Sequence, residues 1–265
     1  MDIVADYATE ISYNRIPEFT YTGDYEIVND TDEIITASPN NWKIRLLTSG
    51  ILTFQALNSA ENGIDVFLVG GGGASRYGGG GGGYTTTEKR KSVSIETPYD
   101  IVIGAGGRSE GANGGKTSAF GVSAEGGYGG STSDNNGAGG NGGCGGGGWG
   151  SPNGGSGGTD GSDGVHVSGT TMRSAGKGQG TTTREFGELN AKTYAGGGGG
   201  GGGGYSGGGN GTGGGYVGGS GQGNSSSKNG QTNTGGGGGG YSSNTATFGH
   251  GGSGIVVIRN TREVS

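Results

Sequence analysis

About a quarter of the way along the chain, Ile64-Asp65-Val66-Phe67-Leu68-Val69 runs without a break into Gly70-Gly71-Gly72-Gly73. Near the other end, Gly252-Ser253-Gly254 runs into Ile255-Val256-Val257-Ile258-Arg259. Short, nearly continuous apolar runs bounded by glycine read as buried strands. These two bracket almost every glycine in the chain. They are expected to lie in one sheet, which makes 70–254 a single long excursion from it.

The chain has 76 glycines in 265 residues, yet only Gly23, Gly50 and Gly63 precede Gly70 and none follows Gly254. Four parts follow: an attachment arm at 1–24, a β-rich stem at 25–69, a glycine-rich body at 70–254 and a closing strand at 255–265. Hydrophobic residues make up 27% of the chain, too few for an ordinary core. Glycine brings no side chain to bury and loses the most backbone entropy on folding, so composition alone would point to disorder. The ordering has to come from elsewhere.

Inside the stem, Tyr25–Val28 and Glu33–Thr36 read as short strands separated by Asn-Asp-Thr-Asp turn chemistry. Trp42, Ile44 and Leu46 alternate with Lys43 and Arg45, the period of a half-buried strand. Thr48-Ser49-Gly50 then turns the chain, and Ile51–Phe54 is expected to return it as a hairpin. In the body, Lys91–Ile95 and Tyr99–Ile103 read as further strands. Ile3–Ile11 could form a short helix in the arm.

The glycine runs share a pattern. Gly78–Gly83 ends in Tyr84-Thr85, Gly196–Gly204 in Tyr205-Ser206, and Gly235–Gly240 in Tyr241-Ser242. An entropic linker does not need an aromatic at a fixed place; an ordered element does. The polyproline-II conformation has three residues per turn and no internal hydrogen bonds, so its peptide groups point outward. With glycine side chains, such rods can approach closely enough to bond backbone to backbone. Gly196–Gly204 would span roughly 28 Å as one rod. The expected fold is all-β: a small antiparallel domain carrying a lattice of polyglycine-II helices. Tyr84, Tyr205 and Tyr241 are assigned to the scaffold, and collagen is excluded because there are only 4 prolines.

The ordered set of Ile64–Gly73, Gly83-Tyr84-Thr85, Ile101-Val102-Ile103-Gly104-Ala105-Gly106-Gly107, Tyr194-Ala195 before its glycines, and Gly252–Arg259 resembles the glycine-rich domains of bacteriophage and prophage tail-fibre and tail-tip proteins. It is similar in kind to the polyglycine-II tips of tail-fibre adhesins of T-even-like phages, and more distantly to the glycine-rich domain of some animal receptor kinases. The resemblance covers about 40–260. It implies a virion-associated, receptor-binding protein at a tail or fibre tip. Its partners would be a bacterial surface protein or glycan and other virion tail proteins, with a homotrimer as one assembly.

Charge narrows the partners further. The net charge is −6; residues 1–69 hold 11 acidic and 3 basic side chains, and the rest 11 and 13. Neither part is basic enough for nucleic acid, which needs clustered Lys and Arg. No stretch approaches the length of a membrane span, so no membrane insertion is expected. Met1–Glu10 carries three acids and no base, unlike a secretory signal, so an extracellular role would follow lysis or assembly into a particle.

Most chemical motifs fail on inspection. Gly111-Ala112-Asn113-Gly114-Gly115-Lys116-Thr117 has Glu110 where a phosphate loop needs glycine, and no helix pattern follows. Gly104–Ser109 fails the dinucleotide fingerprint at its third glycine. Asp160 and Asp163 make one imperfect copy of a calcium repeat. His166 and His250 have no partner in sequence, and the lone Cys144 reads as a packing residue. No catalytic residue, cofactor or metal is expected. The candidate receptor contacts are the remaining aromatics of the body: Trp149, Tyr128, Tyr216 and Tyr77. A non-adhesive virion component, such as a head decoration or baseplate spacer, is the competing class. An ice-binding protein would need more threonine ranks than Thr85–Thr87 and Thr181–Thr183.

Overall fold

The computed structural model describes residues 16–36, 41–57, 63–133, 137–148, 181–200, 228–241 and 247–261. The strands are β1 (Glu18–Tyr21), β2 (Tyr25–Val28), β3 (Lys43–Leu46), β4 (Gly50–Ala56), β5 (Ile64–Val69), β6 (Thr85–Lys91), β7 (Pro98–Ile101), β8 (Thr117–Ala119), β9 (Val122–Ala124) and β10 (Ile255–Asn260). The fold is all-β and antiparallel; the helical content among the described residues is two short 3-10 turns, Thr181–Thr183 and Glu185–Gly187. One sheet has the order β1-β4-β7, a second β2-β3-β10-β5-β6, and β8-β9 form a hairpin.

The bracketing strands pair directly: Ile255 opposes Val69 and Asn260 opposes Ile64. The closing strand thereby occupies the centre of the larger sheet, between β3 and β5. One face of that sheet presents Trp42, Ile44, Leu46, Ile64, Val66, Leu68, Val256 and Ile258, packed against Leu52, Phe54 and Ile101 of the smaller sheet and against the β8-β9 hairpin. The opposite face presents Phe67, Val69, Ile255 and Val257, covered by Phe186, Tyr194 and Ala195. Both faces are buried, which is why the two runs are apolar throughout rather than alternating.

Several local expectations change. Trp42–Leu46 and Ile51–Phe54 do not form a hairpin, because β3 and β4 lie in different sheets. The turn at 47–49 is a corner that carries the chain from one sheet to the other, so Ile44 and Leu52 belong to one buried cluster. Lys43 and Arg45 are not on a solvated face; both are buried. Glu18–Tyr21, placed in the arm, is an edge strand on β4. Glu33–Thr36 makes only a bridge from Ile34 to Val28. The strand expected at 91–95 lies earlier, where the threonines of Thr85–Thr87 pair with β5. The strand expected at 99–103 is Pro98–Ile101, followed by a bridge from Val102 to Ser118.

The glycine body is a lattice of extended rods with a three-residue repeat. In 70–76, the N–H groups of Gly70 and Gly73 donate to Tyr84 and Gly81, those of Gly71 and Ala74 to Gly115 and Ala112, and those of Gly72 and Ser75 to Gly252 and Gly249, all at 2.8–3.0 Å. The carbonyls follow the same period. Gly73 and Arg76 accept from Gly238 and Tyr241, Gly71 and Ala74 from Gly127 and Gly130, and Gly72 and Ser75 from Gly107 and Gly111. One rod therefore bonds to segments on all sides of it. The next rod, 78–84, repeats the scheme: Gly79 and Gly82 donate to Gly147 and Cys144, Gly80 and Gly83 to Gly238 and Gly235, and Gly81 and Tyr84 to Tyr128 and Glu125. This is the bonding of polyglycine-II helices, in which each residue of a turn points to a different neighbour.

Close approach, rather than unusual backbone angles, requires the glycines. A Cβ built on Gly80 would lie 2.0 Å from the Gly73 carbonyl oxygen, and no flexible side chain is there to yield. Gly121 is a different case: it sits in a turn at φ +75° with nothing near an added Cβ. We expect Gly121→Ala to cost about 1–2 kcal/mol from backbone strain. Gly80→Ala should cost more than about 3 kcal/mol, because overpacking against fixed backbone adds to the lost bonds. Denaturant unfolding of both variants checks this; equal costs would contradict the lattice.

Candidate functional site

The rods run to and fro between the sheet and a far end. Val69 and Ile255 mark the sheet end, where 70–76 begins and 248–254 finishes. Turns lie at the far end: 76–78, where the N–H of Tyr77 donates to Ser131, and 108–111, where that of Gly111 reaches Ser75. The flanks of segments outside the described residues stand there too. Gly199 and Lys228 accept from Gly240 and Gly239, Tyr241 donates to Arg76, and Gly148 lies against Gly200. At this end the chain leaves the lattice after Gly148, Gly200 and Tyr241 and re-enters at Lys228; the stretch that follows Gly148 re-enters elsewhere, at Thr182 beside β6.

A polar clamp fixes that end. The Tyr241 hydroxyl donates to Glu110 Oε1 at 2.7 Å, and Glu110 Oε2 pairs with Arg76 Nη1 at 2.9 Å. The Arg76 guanidinium lies 5.1 Å from the Tyr77 ring centroid, and the Tyr77 and Tyr241 rings are 6.2 Å apart. Burial, and then the bond to Glu110, push the Tyr241 phenol up to about 12.

The aromatics singled out from sequence separate on this frame. Tyr77 is 7% exposed and Tyr241 is 4% exposed, so both rings are packed at the lattice end. Tyr128 is 52% exposed, on the side of the lattice, with its backbone engaged by Asn141 and Gly81. Tyr84 is partly buried at the sheet end, opposite Tyr241, so the shared Gly-run–Tyr motif serves both ends. Trp149, Tyr205 and Tyr216 lie outside the described residues, as do His166, Asp160 and Asp163. The amides that would form a phosphate loop are spent in the lattice: Gly114 donates to Gly127 and Gly115 to Ala105. Lys116 pairs with Glu125 at 2.8 Å. Among the described residues no three His, Cys, Asp or Glu side chains converge as a metal site, and no helix is long and apolar enough to cross a membrane.

At the end of the large sheet remote from the rods lies a second feature, missed in the sequence. Lys43, Arg259 and Asp65 are neighbours in register across β3, β10 and β5, with Arg45 one pleat further along. The segment 181–195 lays Glu185 and Phe186 over them. Glu185 accepts from Lys43 at 2.7 Å, Arg45 at 3.4 Å and the Tyr194 hydroxyl at 3.0 Å. Asp32 bonds Lys43 and Arg45, each at 2.5 Å. Arg259 pairs with Asp65 at 3.1 Å and Glu188 at 2.7 Å, its guanidinium 4.0 Å above the Phe186 ring. Phe186 reaches this position through a left-handed backbone at φ 55°. Asp65 inside an apolar run and Arg259 at the end of another were the available signals. Glu185, the partner of Lys43 and Arg45, is far away in sequence and carried none.

Removing Glu185 would take from two buried cations the more deeply buried of the two carboxylates they share. Glu185→Ala should cost about 3–5 kcal/mol, measured by denaturant unfolding. Asp32 sets a pH dependence. Burial alone would raise its carboxyl, but the Lys43 hydrogen bond and the charges of Arg45, Lys43 and Lys192 outweigh it and hold the group below the ordinary range. Its stabilisation is present above its unfolded value of about 3.9 and is lost as pH falls through the lower folded value. Asp32→Asn should therefore flatten the loss of stability below about pH 4. An unchanged acid limb would show that Asp32 does not supply it.

No curated protein matches the chain. The family model described as glycine-rich domain matches residues 48–261, which takes in the strands from β4 onward and the whole lattice. The chain belongs to this glycine-rich domain family.

Proposed function

We propose that the chain is a bacteriophage tail-fibre or tail-tip adhesin that binds a bacterial surface protein or glycan through segments displayed at the far end of its glycine lattice. The observation that carries this reading is the gathering of the flanks Gly148, Gly200, Lys228 and Tyr241, with the turns 76–78 and 108–111, at one end of a bonded scaffold. A rigid base lowers the entropy lost when displayed segments engage a surface. Many copies on a particle would add avidity. The sheet end, carrying the acidic amino-terminal part, is then the side that docks to other tail proteins. The family resemblance of the ordered glycine runs supports the virion setting.

Gly199 and Lys228 hang on adjacent residues of the same rod, so 201–227 can be replaced by a short Gly-Ser linker without crossing the lattice. Particles carrying this variant should assemble at normal yield and adsorb to host cells at least about tenfold more slowly, since loss of one anchor cluster commonly costs more than about 1.4 kcal/mol. Normal assembly with unchanged adsorption would refute the adhesive role and point to a purely structural virion protein.

A further inference from the structure

The ionic cluster opens into a cavity of about 680 Å³ at the end of the sheet remote from the rods. That volume is within the range of small-molecule sites, roughly 300–1,000 Å³. Lys43, Glu185 and Arg259 form its floor; Asp32, Asn41, Asn190 and Lys192 stand around it, with Leu189 and Ala191 at its edge. The floor is committed to its own ion pairs and is fixed by them.

The wall is only partly committed. Asp32 spends Oδ1 on Lys43 and Arg45 and keeps Oδ2. Asn41 donates through Nδ2 to Asp30 and keeps its carbonyl oxygen. Lys192, among the described residues, makes no ion pair and only lies 5.4 Å from the Tyr194 ring centroid. Asn190 offers both a donor and an acceptor. The wall of one polar bowl thus offers both donors and acceptors. Acids and bases in its lining nearly cancel, so no single-sign field selects a simple ion. A hydroxyl group both donates and accepts, which suits such a wall. Leu189, 73% exposed, supplies an apolar edge for the C–H face of a ring.

We infer that this cavity is a carbohydrate site, sized for a short oligosaccharide and separate from the segments at the lattice tip. Asp32 Oδ2 and Asn41 Oδ1 accept from sugar hydroxyls, and Lys192 and Asn190 donate to them. The site goes beyond the adhesive reading: it lies at the other end of the molecule, and its occupancy is read on the purified chain without particles or cells.

The test is a titration of the purified full chain with maltose, N-acetylglucosamine and methyl galactoside to about 50 mM, followed by two-dimensional amide NMR, because single-site sugar affinities near Kd of 1 mM correspond to about −4 kcal/mol. Sodium acetate, phosphate and ethanolamine are titrated in parallel. At least one sugar should move the resonances of 30–32, 41 and 188–192 saturably, with Lys192→Ala and Asn190→Ala each weakening it at least about fivefold; both residues are exposed, and the wild-type fold should persist in each variant. Saturable shifts with acetate, phosphate or ethanolamine and none with sugars would overturn the assignment in favour of an ion site. So would shifts with no ligand, or sugar shifts that survive both substitutions.

Discussion

The whole structure depends on one contact, the peptide hydrogen bond between extended rods that are close enough to exclude a Cβ. Where an added methyl would sit 2.0 Å from a carbonyl oxygen, as at Gly80, Gly83 and Gly237, the chain has traded side-chain burial for peptide bonding. Each such bond is worth only about 0.5–1.5 kcal/mol net, against about 1–2 kcal/mol to fix a residue. The lattice therefore cannot stand by itself. It is hung from β5 and β10, whose pairing holds the entry and exit of the excursion side by side, and it borrows the apolar burial of the sheet on both faces.

The sheet in turn is specified by charge as well as by packing. Phe186, Tyr194 and Ala195 close its outer apolar face, and Glu185 caps Lys43 and Arg45 beside them. A buried ion pair is weak evidence for stability, since desolvation opposes the attraction. Its effect here is to fix which segment covers the sheet: an apolar patch would accept many glycine-flanked stretches, whereas two cations side by side accept one with a carboxylate in register. The same ion pairs hold the floor of the remote cavity, so covering the sheet and shaping the cavity are one act of folding.

The framework was legible where the pattern was long and one-dimensional. The apolar runs at 64–69 and 255–259, and the three-residue logic of glycine rods, follow from periodicity and composition. What was not legible required knowledge of the third dimension. A strand, a turn and a strand at 42–54 read equally as a hairpin or a corner, and only the opposing sheet decides it. Lys43 and Arg45 alternate with apolar residues as a solvated face would, and only the distant Glu185 reverses that reading. The same limit applied to the aromatics: Tyr77 and Tyr128 have similar glycine surroundings in sequence, yet one is enclosed by Tyr241 and Arg76 and the other is half exposed.

Hydrogen–deuterium exchange over 70–84 and 235–241 tests the central claim most directly, since free glycine runs and bonded rods differ most in their amides. If the rods bond as described, these amides should exchange only with the global opening of the fold, at protection close to that of β5 and β10. Exchange at the rate of an unstructured peptide across both stretches, with the strands still protected, would show that the glycine body is not a lattice.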